Sequence, residues 1–193
     1  MTDTSDRIRG QHLEILSDGH YTLRKAGFEY RRNDGTWQHQ MRESYDIGDG
    51  AAVLPIDRSK GLILLIRQFR WAAFAHGYRE LLIEAIAGKL DGDPPDVCAI
   101  KEAREEAGVE LSNLRQVFDT FMSPGAVQER LHLFVADYDA AKPRATQNGI
   151  HAEGEDIETL EVTLTDALAM VSAGEILDAK TIMLIQWAAL ALR

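Results

Sequence analysis

The sequence has little of what several function classes require. Cys98 is the single cysteine among 193 residues, so an internal disulfide is excluded and the composition fits a reducing cytoplasm. Basic residues are in the minority, with 21 Lys and Arg against 31 Asp and Glu and a formal net charge of −10. No basic stripe is visible, which argues against a nucleic-acid partner. The most apolar stretch, 182–192, is too short to span a bilayer and reads as a buried helix, so no membrane partner is expected. Residues 1–12 are polar and lack an apolar run, unlike a secretory leader. No internal repeat or low-complexity tract is present. What remains is 45% hydrophobic and 27% charged, ordinary for one compact domain with, at most, a small appendage. An acidic chain that handles an anionic substrate needs bound cations or local Arg and Lys at its site.

Two strand-like runs, 20–32 and 36–46, flank Asn33-Asp34-Gly35, which is a hairpin signal. Residues 1–46 are therefore expected to form a small antiparallel β subdomain, joined through 46–50 to a main domain over 47–193. In that domain, 51–57, 62–69, 81–87, 114–121, 130–138 and 157–162 read as strands. Residues 97–107, 165–172 and 180–193 read as helices, the second capped by Thr163 or Thr165. Residues 141–154 are polar and read as a long loop, a length that tends to be functional or disordered. The order is mixed α/β (α+β) with short strands, without the regular alternation of a doubly wound sheet.

The informative stretch is GKLDGDPPDVCAIKEAREEAGVEL, residues 88–111. Asp93 is expected to cap a helix with Pro94 in its first position and Asp96 in its first turn, and Gly108 is expected to end it. At about 100° per residue, Val97, Ile100, Ala103 and Ala107 share one side, and Glu102, Glu105 and Glu106 cluster on the other. Two such charges about 4 Å apart repel by roughly 4 kcal/mol at an effective dielectric near 20, a sign that a divalent cation reverses. Mg²⁺ favours hard oxygen ligands and suits a few carboxylates beside a diphosphate. Two plainer readings compete. The three glutamates could form a solvated face, with Lys101 pairing to Glu105. Asp91, Asp93 and Glu102 also fall at positions one, three and twelve of a calcium loop, but Pro95 and Asp96 fit its fifth and sixth positions badly.

These residues resemble the Nudix box, which reads Gly, five residues, Glu, seven residues, then Arg-Glu-U-X-Glu-Glu-X-Gly-U, with U aliphatic. The chain has Gly88 and then Lys-Glu-Ala-Arg-Glu-Glu-Ala-Gly-Val over 101–109. It departs in having Lys101 for the Arg, Pro94 for the first Glu, and a spacer shorter by one. Those departures bear on the bracing of the box, for which Asp93 or Asp96 could pair with Lys101. Leu90-Asp91, Phe121-Met122-Ser123-Pro124-Gly125, Glu129, and Gly174-Glu175-Ile176 with Lys180 are similar to the GDP-mannose pyrophosphatase branch of the superfamily, which is related to ADP-ribose pyrophosphatase.

The resemblance implies a Nudix fold, a mixed β-sheet flanked by helices with the box as loop-helix-loop. It implies metal-dependent hydrolysis of the diphosphate of a nucleoside diphosphate sugar, with GDP-mannose favoured over ADP-ribose. A nucleotide-sugar sensor without catalysis is the rival from another class. By the same resemblance the Ala87 carbonyl, Glu102, Glu106 and Glu155 hold Mg²⁺ or Mn²⁺. Glu105, Glu106, Glu155 and the neighbouring Glu153 are the catalytic candidates. Arg42, Glu43, Arg70, Gly88, Glu129 and Lys180 are the substrate-binding candidates. Arg42 and Glu43 match a segment that reaches the partner's site in a homodimer, and His20 or Tyr21 falls where relatives stack the base. Each has a plainer reading: a strand-end cation for Arg70, a solvated helix-start lysine for Lys180, an edge-strand charge for Glu129, and a hairpin surface pair for Arg42 and Glu43. Ser123 reads as a turn residue, Cys98 as a small core neighbour, and Trp37, Trp71 and Trp187 as packing residues.

Overall fold

The computed structural model describes residues 3–144, 149, 154 and 156–191. Its contacts divide the chain into two compact units, 1–49 with 121–129, and 50–120 with 130–193.

In the first unit, strands β1 (Ile8–Asp18), β2 (Thr22–Arg31) and β3 (Trp37–Asp46) form an antiparallel meander. The Asn33-Asp34-Gly35 turn lies between β2 and β3 as expected, with Gly35 at φ 85°. The Asp34 carboxylate accepts from the Thr36 N–H at 2.9 Å and fixes that turn. Strand β1 was not anticipated. Its residues are mostly exposed, and bulges near Arg9 and Ile15 break the alternation that signals a strand. A later segment, β9 (Val127–Gln128), joins β3 in parallel, and Ser123 accepts turn hydrogen bonds from Ala126 and Val127, in keeping with its reading as a turn residue.

The second unit is built on a mixed sheet. Strands β4 (Gly50–Asp57), β5 (Leu62–Gln68), β8 (Ser112–Phe121), β10 (Arg130–Asp137) and β11 (Glu158–Thr163) run in the order β11-β5-β4-β10-β8. Every residue of β4 is buried, which explains its unbroken apolar run. The expected strand over 81–87 is two strands, β6 (Leu82–Glu84) and β7 (Ile86–Lys89). β6 pairs with β5, and β7 pairs with β4. The chain changes partner at Ala85, which belongs to neither strand.

Helix α2 (Pro95–Ala107) packs on one face of the sheet, against β4, β7 and β10. Ala51, Val53, Leu64, Ile66, Ile86 and Phe134 join Cys98, Ala99, Ala103 and Ala107 in that core. Helices α3 (Leu164–Ala173) and α4 (Ala179–Ala191) pack together, and α4 lies on β4 and β10. Thr163 caps α3 by accepting from Asp166 N–H at 3.0 Å. In α4, Leu184, Ile185 and Ala188 are buried while Leu190 is exposed, so the apolar C-terminal run is buried along one side only. A short helix, α1 (Trp71–Ala75), was not anticipated. Trp71 packs on Phe74, with ring centroids 5.8 Å apart, but is 69% exposed and so lies outside the core. No helix among the described residues is long and apolar enough to cross a membrane.

The start of α2 also differs from expectation. Pro94 is the cap rather than the first helical residue, at φ −59° and ψ 145°, and no side chain caps the helix. The cause is Pro95: a residue preceding proline is driven out of the helical region, so Pro94 stays extended and Asp93 lies one position too early. The end is as expected, with Gly108 at φ 63° and ψ 28°. Gly108 N–H donates to the Arg104 carbonyl and Val109 N–H to the Ala103 carbonyl, both at 3.1 Å. Gly108→Ala should therefore lower stability by about 1 kcal/mol through left-handed backbone strain. Urea denaturation checks this, and an unchanged midpoint would contradict the assigned cap.

Candidate active site

The buried face of α2 includes Ala103 and Ala107 as spacing suggested, but it is rotated toward Cys98, Ala99 and Glu106 and away from Val97. Val97 is 46% exposed, whereas Cys98, Ala99, Ala103, Glu106 and Ala107 are buried. At about 100° per residue these five span one side, with Glu106 near its middle. Three of the four apolar members are alanines and the fourth is cysteine, so no bulky chain holds the helix away from the sheet. The helix therefore approaches β7 closely enough for its carboxylates to meet backbone.

Positions 98, 102 and 106 are four apart and form one row on α2. Cys98 Sγ donates to the Lys89 carbonyl at 3.3 Å. Glu102 lies over Gly88, where an added Cβ would collide with the Glu102 carboxylate. Glu106 Oε2 accepts from the Ala87 N–H at 3.2 Å. One helix row thus follows three successive residues of β7. Glycine at 88 leaves the space that the Glu102 carboxylate occupies, and any side chain there would push that carboxylate aside. The Cys98 thiol is pushed up to about 11, first by burial and then by the Glu102 charge, so it stays neutral.

Glu105 lies beside this row, with Lys101 Nζ 3.9 Å from its Oε2. The ion-pair partner of Lys101 is thus Glu105 rather than Asp93 or Asp96. The Glu105 and Glu102 charges raise the Lys101 pKa. Gly149, from the stretch read as a long loop, donates its N–H to the Glu105 carbonyl at 3.0 Å. Glu153 and Glu155 lie outside the described residues.

A second cluster was not anticipated in this form. Glu84 is 1% exposed at the end of β6. Arg70 grips both of its oxygens, donating to Oε1 at 2.7 Å and to Oε2 at 3.1 Å, and Lys180 Nζ shares Oε2 at 2.6 Å. Lys180 also pairs with Asp178 at 2.9 Å. Lys180 is therefore no solvated helix-start lysine, being 9% exposed with both carboxylates in contact. Arg70 keeps 42% of its side chain exposed, and although burial opposes its charge, the hydrogen bonds and charge of Glu84, with a smaller part from Glu106, raise its pKa. Burial opposes the Glu84 charge, but Lys180 and Arg70 outweigh it and hold the carboxyl below its usual range. The sequence signal was a single charged residue inside the apolar run 81–87, and Asp178 and Thr181 gave none.

Arg42, Glu43 and Glu129 belong to the other unit. Arg42 donates to the Met41 carbonyl and to Gln40 Oε1, and Glu43 stands opposite Lys25 on β2. Glu129 is half-buried directly after β9. His20 and Tyr21 are in ring contact at a tilt of 57°, with centroids 4.4 Å apart.

Residues 46–183 match the NUDIX domain family. The chain belongs to that family. Residues 7–45 match a second family, described as the GDP-mannose pyrophosphatase NudK N-terminal domain. Among relatives, the GDP-mannose pyrophosphatase of Pectobacterium atrosepticum is 44% identical over 176 residues, covering 91% of this chain and 90% of that protein. The protein of the same name from Cronobacter sakazakii is 46% identical over 174 residues, covering 90% of each. The one from Citrobacter koseri is 43% identical over 175 residues, covering 90% of this chain and 91% of that protein.

The donors at β7 and α2 fit the divalent cation that the NUDIX family implies. Glu102 and Glu106 offer carboxylate oxygens beside the Ala87–Gly88 backbone, a hard set suited to Mg²⁺. Among the described residues no three His, Cys, Asp or Glu side chains form a metal site by themselves.

Two outcomes follow. Gly88→Ala should displace Glu102 and lower kcat/KM by about 100-fold while leaving the circular dichroism spectrum intact; near-normal kinetics would contradict the close contact. Glu84, with its lowered pKa, stabilises the fold above about pH 4.3, its unfolded value, and that contribution fades as pH falls through the lower folded value. The stability gap between wild type and Glu84→Gln should narrow below about pH 4. A gap constant from about pH 7 to 3 by chemical denaturation would contradict the pairing.

Proposed function

We propose that this NUDIX protein hydrolyses the diphosphate bond of a nucleoside diphosphate sugar, GDP-mannose by preference, giving GMP and mannose 1-phosphate. The observation that carries the reading is the row of Glu102 and Glu106 along the Ala87–Gly88 backbone. The names of the relatives and the match of residues 7–45 support the choice of GDP-mannose.

The Ala87 carbonyl, Glu102, Glu106 and Glu155 would hold Mg²⁺, or Mn²⁺ in its place. The cation, when bound, supplies charge neutralisation of the diphosphate and a lower barrier to attack by water. The chain's own part is to place and neutralise. Glu102 and Glu106 set their oxygens against fixed backbone. Arg70 presents a partly exposed guanidinium that can pair with a phosphate oxygen. Lys180 adds buried positive charge beside Glu84. Gly88 leaves room for Glu102 and for close approach of substrate. Glu105, Glu153 and Glu155 are the candidates to take the proton of the attacking water on a carboxylate oxygen. One water is consumed, the bridging P–O bond breaks, and the leaving phosphate keeps the bridging oxygen.

We further read the protein as a cytoplasmic homodimer in which Arg42, Glu43 and Glu129 contact substrate, the first two from the second copy. The single cysteine supports the compartment. The resemblance of 42–43 to the family's shared-site segment supports the dimer, which light scattering at micromolar concentration tests.

The deciding assay supplies excess Mg²⁺ and a panel of GDP-mannose, ADP-ribose, ADP-glucose and UDP-glucose, with an EDTA control. GMP from GDP-mannose at the highest kcat/KM is expected, and Glu106→Gln should lose about 10²–10³-fold. AMP from ADP-ribose as the favoured product would change the substrate and keep the mechanism. Binding of a nucleotide sugar without any product would favour the sensor.

A further inference from the structure

Ala85 stands where the chain leaves β5 for β4, so its N–H is outside both ladders. It is fully buried and needs a partner from elsewhere. Thr181, in the first turn of α4 and 0% exposed, provides it: Ala85 N–H donates to Thr181 Oγ1 at 2.6 Å. The hydroxyl proton goes the other way, to Asp178 Oδ2 at 2.5 Å, which leaves the oxygen's lone pairs for Ala85. Asp178 Oδ2 also accepts from Thr181 N–H at 3.0 Å, and its other oxygen pairs with Lys180. Two consecutive residues of the strand crossing, Glu84 and Ala85, are thus gripped by two consecutive residues of α4, Lys180 and Thr181. A single carboxylate orients both grips.

We infer that Thr181, oriented by Asp178, is a positioning residue for the Ala87–Gly88 backbone and so for the cation that backbone would help to hold. The inference rests on the site reading given above. Ala85 is two residues from Ala87, and the intervening Ile86 is fully buried and paired with Val53. Little slack separates the grip from the backbone at 87. Thr181 touches none of the proposed metal ligands. It acts through the Ala85 amide, which fixes where the strand enters β7 and where the Ala87 carbonyl points. Loss of a group hydrogen-bonded directly to a metal ligand lowers metal affinity by about ten- to hundredfold, and a contact one step further out is expected at the low end of that range.

Thr181→Val keeps the shape, removes the acceptor and orphans a buried N–H. Mn²⁺ affinity, read from the electron paramagnetic resonance of the free ion, should weaken by about tenfold. Amide hydrogen exchange should quicken over residues 85–88, and Thr181→Ser should restore both. In turnover, the Mg²⁺ concentration for half-maximal rate should rise, with the KM for substrate at saturating Mg²⁺ unchanged. Should Thr181→Val fail to fold, Asp178→Asn carries the same expectation at smaller amplitude, because the hydroxyl remains but loses its charged acceptor. Wild-type Mn²⁺ affinity in a folded Thr181→Val, or in Asp178→Asn, would overturn this inference and leave the site reading standing. Absence in the wild-type protein of any Mn²⁺ binding weakened by Glu106→Gln would overturn both.

Discussion

The structure depends on the close approach of helix α2 to strand β7. Glu102 and Glu106 can address the backbone of residues 87 and 88 only because Ala99, Ala103 and Ala107 present almost no volume to the sheet and Gly88 presents none. A helix with leucines in those places would stand farther off, and its carboxylates would point into water. The same approach costs hydrophobic burial, since an alanine contributes far less apolar area than a leucine. The remaining core, the fully buried β4 and the buried Ile63, Leu64, Leu65 and Ile66 of β5 with Ile86, Phe134, Leu133 and Ile185, compensates.

The approach also needs the strand to be held from behind. Strand β7 is a short piece that begins where the chain changes partner at Ala85, and such a crossing leaves polar groups outside the ladder. The N-terminal turn of α4 supplies what the ladder lacks, through Thr181 on the Ala85 amide and Lys180 on Glu84. Buried ion pairs contribute modestly to net stability, but breaking one partner of such a pair is expensive. Geometric definition is therefore a better account of the cluster than stability. Helix α2 on one side and α4 on the other fix four residues, 84, 85, 87 and 88.

Much of this was legible in sequence, and the failures have physical causes. The hairpin about Asn33-Asp34-Gly35, strands β4, β5, β8, β10 and β11, the cap at Thr163 and the left-handed Gly108 all follow from short-range signals. Membership of the NUDIX family followed from the spacing of Gly88, Glu102, Glu105, Glu106 and Gly108. Strand β1 escaped because exposed residues and bulges erase alternation. The start of α2 escaped because two successive prolines displace the cap. The buried face of α2 was only partly foreseen because hydrophobicity marked Val97 and Ile100, whereas the sheet chose the small residues and took Glu106 with them. The grip of α4 on residues 84 and 85 spans 96 positions in the chain, a pairing no local pattern reveals.

Residues 102, 106 and the backbone at 87 are the center of the account, and their joint role can be observed directly. Crystals of the protein grown with Mn²⁺ and a non-hydrolysable GDP-mannose analogue would show the metal by anomalous diffraction. The account predicts a peak at metal–oxygen bonding distance from the carboxylates of Glu102 and Glu106 and from the Ala87 carbonyl, with the analogue's diphosphate beside it. A peak at other residues, or a bound analogue with no metal near α2, would contradict it.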